Sequence, residues 1–186
     1  HLLSAKVRAG TTIGPHCRVG GEVECSILLG YANKYHDGFL GHSYVGEWAN
    51  LAAGTTTGDL RFDYRPVRVP GGGAEVDSGQ TKLGSVFGDH AKTGLGVLLD
   101  CGTVVGPFAQ VLPTGTLAPK AVPAFHRAGP GGLKPLDADR LVEAAEVAMR
   151  RRGRELPREL EAVYRALAAD SGAGAPPATL PLRKSA

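Results

Sequence analysis

The chain has 186 residues, of which 42% are apolar and 6% aromatic, and its formal charge is +3. That length holds one sizeable core or two small ones, no apolar run approaches the ~20 residues that span a bilayer, and so small a charge gives no ground for a nucleic-acid partner. Cys17, Cys25 and Cys101 form no CxxC pair, so the sequence reads as that of a reduced, cytoplasmic protein.

From the start of the chain, Val7, Ile13 and Val19 fall six residues apart, Gly14 and Gly20 follow the latter two, and Thr11, Cys17 and Val23 take the fifth place of each unit. The register loosens from Gly21 to Gly38 and resumes at Phe39, Val45, Leu51 and Thr57. Between Gly58 and Lys82 the period is absent, and Pro66, Pro70 and Gly71-Gly72-Gly73 mark a projecting loop in which Val67-Arg68-Val69 is predicted to form a short strand. The six-residue spacing then runs longest, through Phe87, Thr93, Leu99, Val105, Val111 and Leu117, with compact residues at Ala91, Val97, Thr103, Ala109 and Gly115. A helix repeats its apolar face near 3.6 residues and an exposed strand near two, so a period of six calls for stacked coils of short flat strands. In this reading the small residue after each anchor lets the backbone bend into the next face.

The expected fold is therefore all-β, a parallel β-helix over residues 1–125. Pro130, Gly131, Gly132 and Pro135 predict a linker over 126–136, and a helical hairpin follows over 137–169. Asp137 or Asp139 caps its first helix, and Pro157 sits in the first turn of its second. The apolar stripes Leu141, Ala145, Ala148, Met149 and Leu160, Val163, Tyr164, Leu167 are expected to dock on the open end of the coil or on a neighbouring subunit. The run Arg150, Arg151, Arg152 and Arg154 reads as a solvated helix face, and residues 170–186 as a disordered tail. A start at His1-Leu2-Leu3, already close to the repeat, suggests a piece of a longer protein.

The polar cluster from Asn33 to Tyr44, followed by Trp48 and Asn50, sits where the period breaks. Its two imidazoles, His36 and His42, are candidates for a general base. His16, His36, His42, His90 and Cys17 are the residues from which a zinc site would be drawn, but no ligand pair has zinc-finger spacing, and the expectation is no metal. Gly71-Gly72-Gly73 lacks the following Lys-Ser/Thr of a Walker loop.

From Val7 to Phe125 the chain resembles the hexapeptide-repeat, left-handed β-helix acyltransferases. The string His36, Phe39, Leu40-Gly41 and Asn50-Leu51-Ala52-Ala53-Gly54-Thr55 is similar to the C-terminal domain of the bifunctional N-acetylglucosamine-1-phosphate uridyltransferase/glucosamine-1-phosphate acetyltransferase. The stretches from Tyr31 to Tyr44 and from Lys82 to Gly106 resemble related bacterial sugar nucleotidyltransferases still more closely. The resemblance implies a cytoplasmic homotrimer that binds a small sugar substrate and acetyl-CoA as co-substrate. It implies His36 as the base and Asn50 as an acceptor contact. Glu24, Phe39 and Asp59 stand where the family carries a phosphate-binding Lys, a phosphate-binding Tyr and a sugar-site Asn. Lys34, His42 and Tyr44 complete the expected substrate site, with Lys34, Arg61 or Arg68 to supply positive charge. Leu95, Leu112 and Lys120 are expected in the acyl-CoA groove. The family's nucleotidyltransferase domain would lie N-terminal to this chain.

Two other readings stand beside acyl transfer. The coil can be a catalytically inactive trimerisation and effector-binding platform for a sugar-1-phosphate nucleotidyltransferase, or a metal-assisted enzyme of the carbonic anhydrase-like β-helix group, for which three histidines would have to converge.

Overall fold

A computed structural model describes residues 1–171. Its strands are mostly two residues long and pair in parallel with the strand one coil above and below, so successive coils stack into a prism of three walls. On the first wall six strands form one continuous ladder: Thr12–Ile13, Ile27–Leu28, Tyr44–Val45, Val86–Phe87, Val104–Val105 and Ala121–Val122. The second wall aligns Arg18, Asn33, Asn50, Lys92, Gln110 and Arg127 on its outer side, and Val19, Lys34, Leu51, Thr93, Val111 and Ala128 behind them. The third wall carries Glu22–Glu24 beside Phe39–Gly41, and Thr56–Thr57 beside Leu98–Leu99.

The inward side chains form a continuous apolar column that includes Val19, Val23, Leu28, Leu40, Val45, Leu51, Phe87, Leu99, Val105, Val111 and Val122, each at most 2% exposed. The spacing of these residues explains both the visible repeat and its gaps. Val45, Leu51 and Thr57 are six apart, but Val19 to Val23 is four and Leu40 to Val45 is five. Coiling continues through Gly21–Gly38; only the corner lengths change. In two places the anchors read from the sequence are off by one. Phe39 lies on the outer side while Leu40 points in, and Leu117 is 57% exposed while its neighbour Ala118 packs on the core.

The glycines that follow the anchors do a different job from the expected one. A Cβ on Gly20 would lie 2.0 Å from the Tyr35 carbonyl oxygen, on Gly88 2.4 Å from Pro107 N, and on Gly106 2.5 Å from Ala124 N. These glycines keep φ negative and make room for the backbone of the next coil. The bends are made elsewhere, by positive-φ residues such as Gly54 (75°) and Gly96 (70°) at the corner between the second and third walls.

Residues 126–136 are not a linker. His126–Gly129 adds a further strand to the second wall and turns back as an antiparallel hairpin with Gly132–Pro135. The excursion from Gly58 to Lys82 leaves the corner between the third and first walls. It holds an antiparallel hairpin, Arg68–Gly71 with Ala74–Asp77, and closes at a Leu60–Lys82 bridge.

Helices α1 (Ala138–Arg150) and α2 (Arg158–Asp170) follow. The Asp137 carboxylate caps α1 by accepting from Arg140 N, and Pro157 occupies the N-cap of α2 in an extended conformation. Asp170 closes α2; the rest of the segment read as a disordered tail, beyond residue 171, lies outside the described residues. The hairpin docks along one lateral corner of the prism, where Val142, Ala145 and Tyr164 pack on Phe108 and Phe125. Val163, expected in the stripe, is 59% exposed. No helix among the described residues is long and apolar enough to cross a membrane. Cys17 and Cys101 are buried and Cys25 is exposed, all three as free thiols.

Candidate functional site

The corner between the first and second walls is built from aromatic residues. His16, Tyr31, Trp48, His90, Phe108 and Phe125 all take φ between 55° and 61°, so equivalent positions in successive coils project in the same direction. Their rings stack from one coil to the next, with centroids 4.7 Å apart for His16–Tyr31, 4.0 Å for Tyr31–Trp48, 4.7 Å for His90–Phe108 and 4.7 Å for Phe108–Phe125. His90 is 3% exposed, and burial, aided by nearby Lys92, lowers its pKa to about 3. It is therefore neutral, and its Nε2 shares a 3.1 Å hydrogen bond with the Tyr164 hydroxyl. The sequence does carry a signal for this column: each ring except Phe125 directly precedes a small buried residue, Cys17, Ala32, Ala49, Ala91 or Ala109.

His36 lies at the corner between the second and third walls. Its side chain is exposed, its ring meets Tyr35 edge-on at 5.5 Å, and its carbonyl accepts from Lys34 Nζ at 2.5 Å. Lys34, expected in the substrate site, points inward instead. It occupies a core position, 2% exposed, with Nζ also donating to Gly20 O at 3.0 Å, and burial lowers its pKa. Its ammonium ties two coils together beneath His36.

Glu24, Phe39, His42 and Asp59 gather on the third wall around Gly41. Glu24 is in register with Gly41. A Cβ on Gly41 would fall 2.4 Å from the Phe39 ring and 2.8 Å from Asp59 Oδ2. Asp59 Oδ2 meets His42 Nδ1 at 2.7 Å, with the two side chains 16% and 19% exposed. The sequence missed this His–Asp pair because 17 residues separate its members; one full coil brings them together. Glu24 faces Arg8 at 3.7 Å. Tyr44 is on the outer side of the first wall, where burial and then Asp89 and Glu47 raise its pKa.

Asn50 is on the second wall, where Asn33 Nδ2 donates to its Oδ1. It lines a cavity of about 400 Å³ between the coil and the end of α1, together with Arg18, Asn33, Lys92, Arg151 and Arg152. His36 does not line that cavity. Of the arginines read as a solvated face, two turn toward the coil: Arg152 Nη2 donates to His16 O at 2.5 Å, and Arg154 Nε donates to the Tyr31 hydroxyl at 2.5 Å.

Of the three residues expected in an acyl-CoA groove, Leu95 and Leu112 lie one coil apart on the same side of the prism, where a Cβ on Gly94 would be 3.7 Å from Leu112 Cα, and Lys120 lies elsewhere. Leu95 is 70% exposed at the corner between the second and third walls. Leu112 lines a second cleft, also about 400 Å³, with Leu117 and Pro130. Lys120 sits at the corner between the third and first walls, its Nζ donating to Cys101 O and 3.4 Å from Asp100 Oδ2. His16 and His90 share one corner while His36 and His42 each occupy another, and no group of three metal-ligating side chains occurs among the described residues.

No protein-family model matches the chain. Over 92 residues, 50% of this chain, it is 35% identical to the bifunctional sugar-1-phosphate nucleotidylyltransferase/acetyltransferase of Sulfurisphaera tokodaii. Over 104 residues, 55% of this chain, it is 36% identical to the bifunctional protein GlmU of Methanocaldococcus jannaschii. A bifunctional protein GlmU of Methanococcus maripaludis is 38% identical over 85 residues, 46% of this chain. The matched regions are 23%, 25% and 20% of those proteins, so the chain spans a quarter or less of the relatives it is similar to. These relatives are transferases, and the parallel β-helix described above fits that similarity.

Proposed function

We propose that this β-helix transfers an acyl group, acetyl in the first instance, from acyl-CoA to the amine of a sugar, with His36 as general base. The observation that supports the reading most is the exposed His36 imidazole on a coil corner whose backbone is anchored from beneath by Lys34, in a chain similar to bifunctional nucleotidyltransferase/acetyltransferases. The imidazole takes a proton from the amine as its nitrogen attacks the thioester carbonyl. The C–N bond forms, the C–S bond breaks, and the CoA thiolate leaves and is protonated. Acyl-CoA would lie in a groove between neighbouring subunits of a cytoplasmic homotrimer, against Leu95, Leu112 and Lys120.

A positioned base contributes roughly 10²–10⁴ in rate. His36→Ala is therefore expected to lower the rate of CoA release with glucosamine phosphates by at least ~10², while His42→Ala keeps most of it. Full activity in His36→Ala would overturn the assignment, and transfer of the loss to His42→Ala would move the base to the Asp59-paired imidazole.

A second reading, a catalytically inactive trimerisation and effector-binding platform, is favoured by one feature. Glu24 and Phe39 fill the places of the phosphate-binding Lys and Tyr, and Glu24 is held by Arg8. Calorimetry with acetyl-CoA separates the two readings, because the platform predicts no heat of binding.

A further inference from the structure

The coil beneath His36 is short. From the second wall to the third, the inward residues Lys34 and Leu40, Leu51 and Thr57, and Thr93 and Leu99 are each six apart, whereas Val19 and Val23 in the first coil are four apart. The corner Tyr35–Gly38 therefore stands over Gly20-Gly21 alone, and part of it has no backbone counterpart below. Where the corners match, each coil takes an N–H from the next: Gly54 N donates to Asp37 O at 2.9 Å, and Gly96 N donates to Ala53 O at 2.8 Å. The His36 carbonyl is served differently. It accepts from Lys34 Nζ at 2.5 Å, and the same ammonium donates to Gly20 O of the first coil at 3.0 Å.

On either side of His36 the two coils touch directly. A Cβ on Gly20 would lie 2.0 Å from Tyr35 O, and one on Gly21 would lie 3.0 Å from both Asp37 Cα and Lys34 Nζ. At His36 itself the gap is bridged by the side chain. A lysine in an apolar column needs such a reason, because burying its ammonium and ordering its four-carbon stem both oppose folding. Lys34 is 2% exposed, between Val19 one coil below and Leu51 one coil above. Burial lowers its pKa, with Asp37 opposing the shift. Leu51 shows that an apolar side chain fills the equivalent place, so packing alone does not call for an amine. The two carbonyls do.

We propose that Lys34 is the positioning residue of the His36 corner: its ammonium replaces the backbone partner that the shortened first coil lacks, and so fixes where the His36 imidazole stands. Its effect on turnover rests on the reading of His36 as the base, while the anchoring itself is measured without turnover. A shift of about 1 Å in a reacting group can cost on the order of 10²-fold in rate.

The test compares Lys34→Met, which fills the core with an unbranched apolar chain and donates nothing, with Lys34→Gln, which keeps a shorter, neutral donor. For CoA release from acetyl-CoA with glucosamine phosphates, kcat is expected to fall about 10-fold or more in Lys34→Met and by less in Lys34→Gln, while both KM values stay within about twofold of the wild type. Where His36→Ala is impaired, adding Lys34→Met to it should cost almost nothing more, since a residue that acts through another has no effect once that other is gone. NMR order parameters of the backbone amides should drop at His36 and Asp37 in Lys34→Met and hold at Thr93 and Val111. Should Lys34→Met not fold, Lys34→Gln carries the same readouts at smaller amplitude. The two arms fail separately: full activity of His36→Ala removes the base, and the order parameters still decide the anchoring. Unchanged order at His36 and Asp37, an equal loss of order at Val111, or an undiminished kinetic loss on top of an impaired His36→Ala would overturn the proposal.

Discussion

The ring column places six side chains other than glycine in a backbone region that costs an L-residue roughly 1–2 kcal/mol. Stacking repays that cost, so backbone and side-chain terms can be separated at one position. Trp48→Ala loses the ring and keeps the strain, whereas Trp48→Gly loses the ring and relieves it. Trp48→Gly is thus expected to be more stable than Trp48→Ala by about 1 kcal/mol, the reverse of the order in a helix or strand, as read from denaturant midpoints. His90 adds a pH dependence. Its folded pKa of about 3 lies below the ordinary value near 6.5, so as pH falls between those values the unfolded chain takes up a proton that the folded chain refuses. This contribution to stability is full above about 6.5 and falls with acidification by roughly 1.4 kcal/mol per pH unit until about 3. His90→Phe keeps a ring in the stack and should flatten the stability profile by about one proton between those limits. An unchanged slope would mean that His90 is protonated in the folded state.

At the scale of the coil, two kinds of glycine separate what the sequence displays from what it hides. Gly88 follows an anchor and leaves no space, whereas Gly96 turns a corner at φ 70° with nothing within 4 Å of an added Cβ. Gly88→Ala is expected to cost ~3 kcal/mol because the obstacle is the backbone of the next coil, while Gly96→Ala should cost only ~1–2 kcal/mol of conformational strain. Urea midpoints on the two variants check the order. The period of six was legible because walls are regular: Phe87, Thr93, Leu99, Val105 and Val111 all point inward as the spacing demands. The corners were not, because they vary in length, which concealed the coils between Gly21 and Gly38 and shifted Phe39 and Leu117 outward. The candidate site was legible only in part. His36 and Asn50 share one short polar segment but belong to different surfaces, and contacts such as His42–Asp59 depend on coil length rather than on local spacing.

At the scale of the whole chain, the helical hairpin is an attachment to a prism whose strands are paired without it. Its apolar face meets Phe108 and Phe125, and Tyr164 sits at the centre of that contact, edge-on to His90 and Phe108 at 5.3 and 4.8 Å. Removing this side chain withdraws the largest anchor of the hairpin and the hydrogen-bond partner of His90, while the apolar column inside the coil stays intact. Tyr164→Ala is therefore expected to open the hairpin locally rather than to unfold the prism. In hydrogen exchange, the amides of α1 and α2 should lose protection by orders of magnitude, and those of Val105 and Val111 should keep theirs. Because Arg151 and Arg152 travel with α1, the cleft they form with Arg18 and Lys92 should open in the same variant. If protection is lost equally throughout, the hairpin and the coil form one cooperative unit, and the cleft between them is a fixed part of the fold rather than one assembled by docking.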